Sequence, residues 1–144
     1  MSEAPGSSDT GLARPHLLLY YRIAAILMVA VVLLQALLAG QWIGKADNDY
    51  LDLHEIVGNV VFLVALALGG LAIALGVPAA WKVRFLALHA LLVVLVVAQI
   101  GLGYGGRDSG EAAAWHVPNG VLIFGLSVFI LSLLPNLRRA DGAS

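Results

Sequence analysis

Two histidines are placed where chemistry is expected. His54 and His116 each open a long apolar run, and each is followed four residues later by a glycine, Gly58 and Gly120. A glutamine precedes each, Gln35 by 19 residues and Gln99 by 17, and an aromatic follows each by eight, Phe62 and Phe124. Ionisable groups inside apolar runs are costly to bury and mark function by default. Two imidazoles on separate helices at one depth suit a haem, with one ring on each face of the iron and outer hydrogen bonds setting their orientation. The reading from these residues is a haem b with His54 and His116 as its metal ligands. Gly58 and Gly120 lie on the same helical face as the histidines and would leave a hollow for the flat ring. Gln35 and Gln99 are candidates to bond the imidazoles or the propionates, and Lys45 and Arg107 are the cations nearest to receive those propionates. A packing reading competes with this one. In it the histidines bond to neighbouring loops, Gln35, Gln99, Asn59 and Asn119 tie helices together, and the glycines permit close helix approach. No catalytic residue is assigned.

The elements that must position these side chains are membrane helices. Of 144 residues, 60% are hydrophobic and 12% charged, against about a quarter charged in soluble domains. Four apolar runs, near residues 23–43, 56–77, 85–104 and 117–134, each supply the ~20 residues that cross a bilayer core. Gly, Pro, Asp, Asn and Lys punctuate the breaks, and runs this long satisfy their backbone as helices. The expected helices are about 16–43, 54–77, 82–104 and 113–134 in one domain of residues 14–139, with cytoplasmic tails at 1–13 (disordered) and 140–144. The fold class is all-α: an integral membrane four-helix bundle of two tandem helix-hairpin repeats. The apolar run of helix 1 ends in Ala-Leu-Leu-Ala-Gly, as a signal peptide might, but its counterpart in the second half favours a retained span.

Orientation follows from the basic residues. Arg14, Arg22, Lys82, Arg84, Arg138 and Arg139 fall on one side, six of the eight in the chain. Lys45 and Arg107 lie on the other, among Asp47, Asp49, Asp52, Glu55, Asp108 and Glu111. The positive-inside rule places both termini in the cytoplasm, the N-in/C-in arrangement of a multi-pass membrane protein. Trp42, Trp81 and Trp115 sit at span ends, where indole favours the interface. Two hairpins of like orientation are related by an axis along the membrane normal, which brings His54 and His116 to one level near the outer face.

Other residues are less informative. His89 lies ten residues before Gln99, roughly 15 Å along the helix, and reads as an interfacial histidine near Tyr20 or Arg22, with a second ligand site or proton relay as the alternative. His16 reads as surface. Pro118 bends helix 4 if that helix starts near Gly110, and is a first-turn residue if it starts at His116 or Val117. Asp52 and Glu55 look like a capping arrangement for helix 2. The absence of cysteine excludes disulfides, thiolate metal sites and C-x-x-C-H haem attachment. Gly105-Gly106 is a turn and not a phosphate loop, and no basic stripe marks a nucleic-acid partner. The expected partners are the lipid bilayer and redox or membrane-complex proteins.

The Gln35…Ala39-Gly40…His54…Gly58 and Gln99…His116-x-x-Asn119-Gly120 patterns, across about residues 16–136, resemble an uncharacterised family of small bacterial four-helix membrane proteins. The layout is also similar to one half of heme A synthase, which is built from two cytochrome b-like four-helix bundles. There, histidines entering helices 2 and 4 on the outer side ligate haem, and His54 and His116 match them. The synthase pattern has a glutamate three residues before the first histidine and an arginine just after it, where this chain has Leu51 and Glu55. The resemblance therefore implies haem binding, with electron transfer or haem handling, but not oxidation of a haem methyl group. The alternative from a different class is a cofactor-free subunit or assembly factor of a larger membrane complex.

The cysteine-free sequence makes the orientation testable by single-cysteine labelling. In intact spheroplasts an impermeant maleimide should label Asp108→Cys and leave Lys82→Cys unlabelled until the membrane is opened. The reverse pattern would invert the topology.

Overall fold

The computed structural model describes residues 15–134. The expected tails, together with Arg14, Arg138 and Arg139 from the charge argument, lie outside the described residues. Four helices account for nearly all of the described chain: α1 (Pro15–Lys45), α2 (Asn48–Ala74), α3 (Ala79–Gly105) and α4 (Gly110–Ser132). All four are long and apolar enough to cross a membrane.

α2 and α4 begin earlier than hydropathy alone indicates, because polar caps start them outside the apolar runs. Asp47 caps α2, its carboxylate accepting from the Asp49 N–H at 3.0 Å. This corrects the assignment of capping to Asp52 and Glu55, which lie within the helix. Ser109 caps α4 in the same way, its Oγ accepting from the Ala112 N–H at 3.4 Å. Each cap satisfies a backbone donor that the first helical turn leaves free. With α4 starting at Gly110, Pro118 falls inside the helix. Its missing N–H leaves the Ala114 carbonyl without its usual partner.

Each helix packs on its chain neighbours, and α1 also packs on α4, so the four close into a ring in chain order. Thus α1 faces α3 across the bundle, and α2 faces α4. Tyr21, Ala25 and Met28 of α1 are buried against Ala65, Leu68 and Ala72 of α2. Leu92 and Val96 of α3 and Ile123 and Ile130 of α4 complete the middle of the core. The spacing of three and four within each set marks one inward stripe per helix. Alanine at several of these positions lets backbones approach closely, as packing in lipid favours.

The outer faces are as apolar as the core. Ile73, Val83 and Ile43 are 70%, 79% and 74% exposed. A contiguous apolar surface of this kind is unfavourable in water and matches the hydrocarbon of a bilayer.

Two connections hold their residues at positive φ. Ala46, between α1 and α2, has φ 54° and donates its N–H to the Trp42 carbonyl at 2.8 Å. Gly76, after α2, has φ 62°, with open space where a Cβ would point. The left-handed region costs an L-residue about 1–2 kcal/mol and glycine almost nothing. Ala46→Gly should therefore raise the melting temperature in detergent, and Gly76→Ala should lower it by a comparable amount. Equal melting of the two variants would show that these turns do not hold those angles.

Candidate functional site

Each proposed histidine stands six residues after the first residue of its helix, Asn48 to His54 and Gly110 to His116. Both helices start at the same end of the bundle, so the two side chains arrive at similar depth on opposite helices. Their ring centroids are 6.1 Å apart, with the planes inclined by 58°. The two rings thus meet, as the two sequence patterns led one to expect.

The surroundings of the two rings differ. His54 is clamped to α1 by a reciprocal pair of bonds. Its Nδ1 lies 3.1 Å from the Gln35 carbonyl, and the Gln35 amide donates to the His54 carbonyl at 2.7 Å. A carbonyl can only accept, so Nδ1 carries the proton and Nε2 presents a lone pair. His116 has no such clamp. Its Nδ1 is buried without a hydrogen-bond partner, alone in this among the described residues. The Gln99 carbonyl is its backbone neighbour but stands outside hydrogen-bonding geometry.

The glutamines occupy comparable places. The Gln35 amide nitrogen lies 3.8 Å from where a Cβ on Gly58 would sit, and the Gln99 amide nitrogen 3.3 Å from the same point on Gly120. The hollows left by the two glycines are thus filled by glutamine side chains from α1 and α3. Neither side chain bonds an imidazole ring. Gln99 instead accepts at 2.7 Å from Asn119, which also donates to the Leu95 carbonyl at 2.9 Å and so ties α4 to α3. Asn59 makes no comparable tie, donating to Glu55 of its own helix.

The two cations hold positions at the rim. Lys45 donates to the Tyr50 hydroxyl at 3.1 Å and lies over its ring. Arg107 pairs with Glu55, the residue after His54, and so joins the α3–α4 turn to α2. Neither this pair nor Gly103 is signalled by the repeat. Gly103 meets the His116 ring directly, since a Cβ there would stand 3.2 Å from Cε1. Its position one helical turn after Gln99 was the available clue, because i and i+4 share a helical face.

At the far end of the bundle a second polar pair spans the other diagonal. The fully buried Tyr21 of α1 lies with its hydroxyl 3.0 Å from His89 Nε2, and His89 Nδ1 lies 2.7 Å from the Phe85 carbonyl. The carbonyl again fixes the tautomer, so the tyrosine donates to Nε2. This corrects the interfacial reading of His89, which is only 3% exposed, and replaces Tyr20 and Arg22 with Tyr21. Tyr20 and Arg22 both face outward. His16 is exposed, as expected.

The donor set fits a bis-imidazole metal centre. Two rings on opposite sides of one ion, with bonds of about 2 Å, have centroids about 6 Å apart, close to the observed separation. No group of three or more His, Asp or Glu side chains gathers among the described residues. A structural zinc site, with four protein ligands, therefore fits poorly; the two imidazoles would suit an ion whose other ligands come from elsewhere, while Gln35 and Gln99 fill the hollows beside Gly58 and Gly120 that were expected to receive a flat ring. Comparison of the chain with protein-family models, curated proteins and solved structures finds no match in any of the three.

The glycine contacts give a graded prediction. Alanine in a helix interior gains about 0.5–1 kcal/mol over glycine when space allows. Gly58→Ala should leave melting unchanged or raised, whereas Gly103→Ala should lower it by pressing on the His116 ring. Thermal unfolding of the two variants in the same detergent checks the order.

Proposed function

We propose that this chain is a b-type haem protein of the bacterial plasma membrane, in which His54 and His116 would hold the haem near the outer face. The observation that carries the reading is the 6.1 Å approach of the two rings across the α2–α4 diagonal. Bound there, haem supplies a one-electron couple, and the reading places the protein in electron transfer or haem handling. The chain's residues hold and insulate the site. His54 presents Nε2 because its Nδ1 is engaged by the Gln35 carbonyl, the kind of outer bond that fixes a ligating histidine. Val61, Val96 and Ile123 belong to the buried core that excludes water. Lys45, bonded to Tyr50, and Arg107, paired with Glu55, lie at the same end as the histidines, and anionic propionates would have to draw them from those partners.

The finer architecture belongs to the same reading. The two hairpins, α1–α2 and α3–α4, are tandem repeats, supported by the equal placement of each histidine in its helix and the glutamine against each glycine. The bias of lysine and arginine supports cytoplasmic termini. The competing reading, a cofactor-free subunit or assembly factor, draws on the ties made by Gln35 and Asn119, since such bonds also serve packing alone.

The two readings separate on histidine substitution. His54→Ala and His116→Ala should each abolish the low-spin absorption of the purified protein. A spectrum identical to wild type in both variants would remove the histidines from ligation. Unaltered helicity with no pigment in any of the three proteins, but a co-purifying membrane complex, would favour the subunit reading.

A further inference from the structure

The two rings between α2 and α4 offer donors to an ion without offering room beside them for a plane. His54 Nδ1 lies 3.1 Å from the Gln35 carbonyl on α1. The Gln99 carbonyl on α3 is the backbone neighbour of the His116 ring, whose Nδ1 edge also faces Gly103. Each ring thus turns Nδ1 toward a neighbouring helix. A backbone carbonyl can only accept, which puts the proton on Nδ1 and the lone pair on Nε2, at the tip of the ring. No group among the described residues bonds either Nε2, and neither nitrogen is sealed in the interior. The ring centroids stand 6.1 Å apart, which matches two imidazoles on opposite sides of one ion with bonds of about 2 Å. The flanking space is taken. The Gln35 and Gln99 amide nitrogens lie 3.8 and 3.3 Å from where Cβ atoms on Gly58 and Gly120 would sit. A single ion enters between the rings without displacing those side chains.

We infer that His54 and His116 form a two-coordinate site for a bare cuprous ion, bound through the two Nε2 atoms. The inference goes beyond the haem reading and does not need it. Ligand number decides the metal. No third His, Asp or Glu side chain joins the pair among the described residues. Glu55, next to His54 in sequence, is paired with Arg107, and the Gln99 side-chain oxygen accepts from Asn119. Zinc takes three or four protein ligands, and cupric and nickel ions favour square-planar sets. A closed-shell cuprous ion is stable with two nitrogen donors in line, and imidazole is among the ligands that copper accepts. Charge points the same way. The cost of desolvating an ion rises with the square of its charge, so a monovalent ion between two neutral rings enters a membrane bundle far more readily than a divalent one. The carbonyls beside Nδ1 are the outer partners that hold a metal-binding imidazole in one tautomer and orientation. Both rings are half-buried at one end of the bundle, which leaves the ion a path of entry.

The test uses the full chain expressed without added haem, purified in detergent and titrated anaerobically with the cuprous acetonitrile complex. After desalting against a competing cuprous chelator, the wild type should retain one copper ion per chain. Its X-ray absorption edge should carry the intense low-energy feature of linear, two-coordinate cuprous copper, with nitrogen as the only near scatterer. His54→Ala and His116→Ala should each weaken retention by more than ~100-fold, beyond the loss expected from an outer partner. His16→Ala, at an exposed histidine, should retain the ion. The wild-type edge needs no substitution, so a variant that fails to fold does not decide the matter. Copper washed out of the wild type, an edge of three- or four-coordinate copper, or retention unchanged in both alanine variants overturns the inference. The haem reading is read separately, from the Soret band of protein made with haem supplied. Haem bound there, with no copper taken up by the haem-free chain, overturns this inference alone. Tightly held copper, with no Soret band from haem-supplied cells, overturns the haem reading alone.

Discussion

Hydrocarbon offers a chain nothing to hydrogen-bond with, and that single restriction orders this molecule. Each peptide group within a span must find its partner in its own helix, which leaves four helices and three short turns between them. The same restriction applies to side chains. An imidazole or amide that enters the apolar zone must meet another polar group inside the bundle or remain unpaired at a cost of about 1–3 kcal/mol. Most polar residues inside the bundle therefore gather in two clusters, one at each end, and Ser127, buried between them, donates to the Ile123 carbonyl of its own helix. Tyr21 and His89 close one end across the α1–α3 diagonal, and His54 and His116 meet at the other across α2–α4.

The two clusters treat their histidines differently. Both nitrogens of His89 are engaged, by Tyr21 and by the Phe85 carbonyl, and its ring packs 4.6 Å from that of Phe85. Such a pair is satisfied as it stands and holds two helices together. At the other end one nitrogen of His54 is engaged and the buried Nδ1 of His116 is not. Buried polar groups left without partners are few in native proteins, and each asks for an explanation. That nitrogen lies on the Gly103 side of the ring, next to α3, where the Gln99 carbonyl is its backbone neighbour.

Much of this was legible in the residues. Hydropathy indicates the number of helices, and the spacing of Gln35, His54 and Gly58 against Gln99, His116 and Gly120 pairs the histidines. The helix starts were misplaced because hydropathy registers where lipid begins, whereas Asp47 and Ser109 begin the helices in the polar zone. The Tyr21–His89 bond was missed for a related reason. A histidine near a span end suggests the interface, while the inward stripe of Tyr21, Ala25 and Met28 was the better guide. The difference between the two rings could not be read at all. It depends on the distance between each ring and the backbone carbonyl of the facing glutamine, which helix packing decides and spacing does not.

The central claim is that His54 and His116 hold one haem between them. It is tested most directly by the visible spectrum of wild-type protein purified from haem-sufficient cells, first oxidised and then reduced with dithionite. A sharp Soret band with resolved α and β bands on reduction is the result the account requires. A featureless spectrum from well-folded protein, with haem supplied throughout expression, would contradict it and leave the two histidines as packing residues at one end of the bundle.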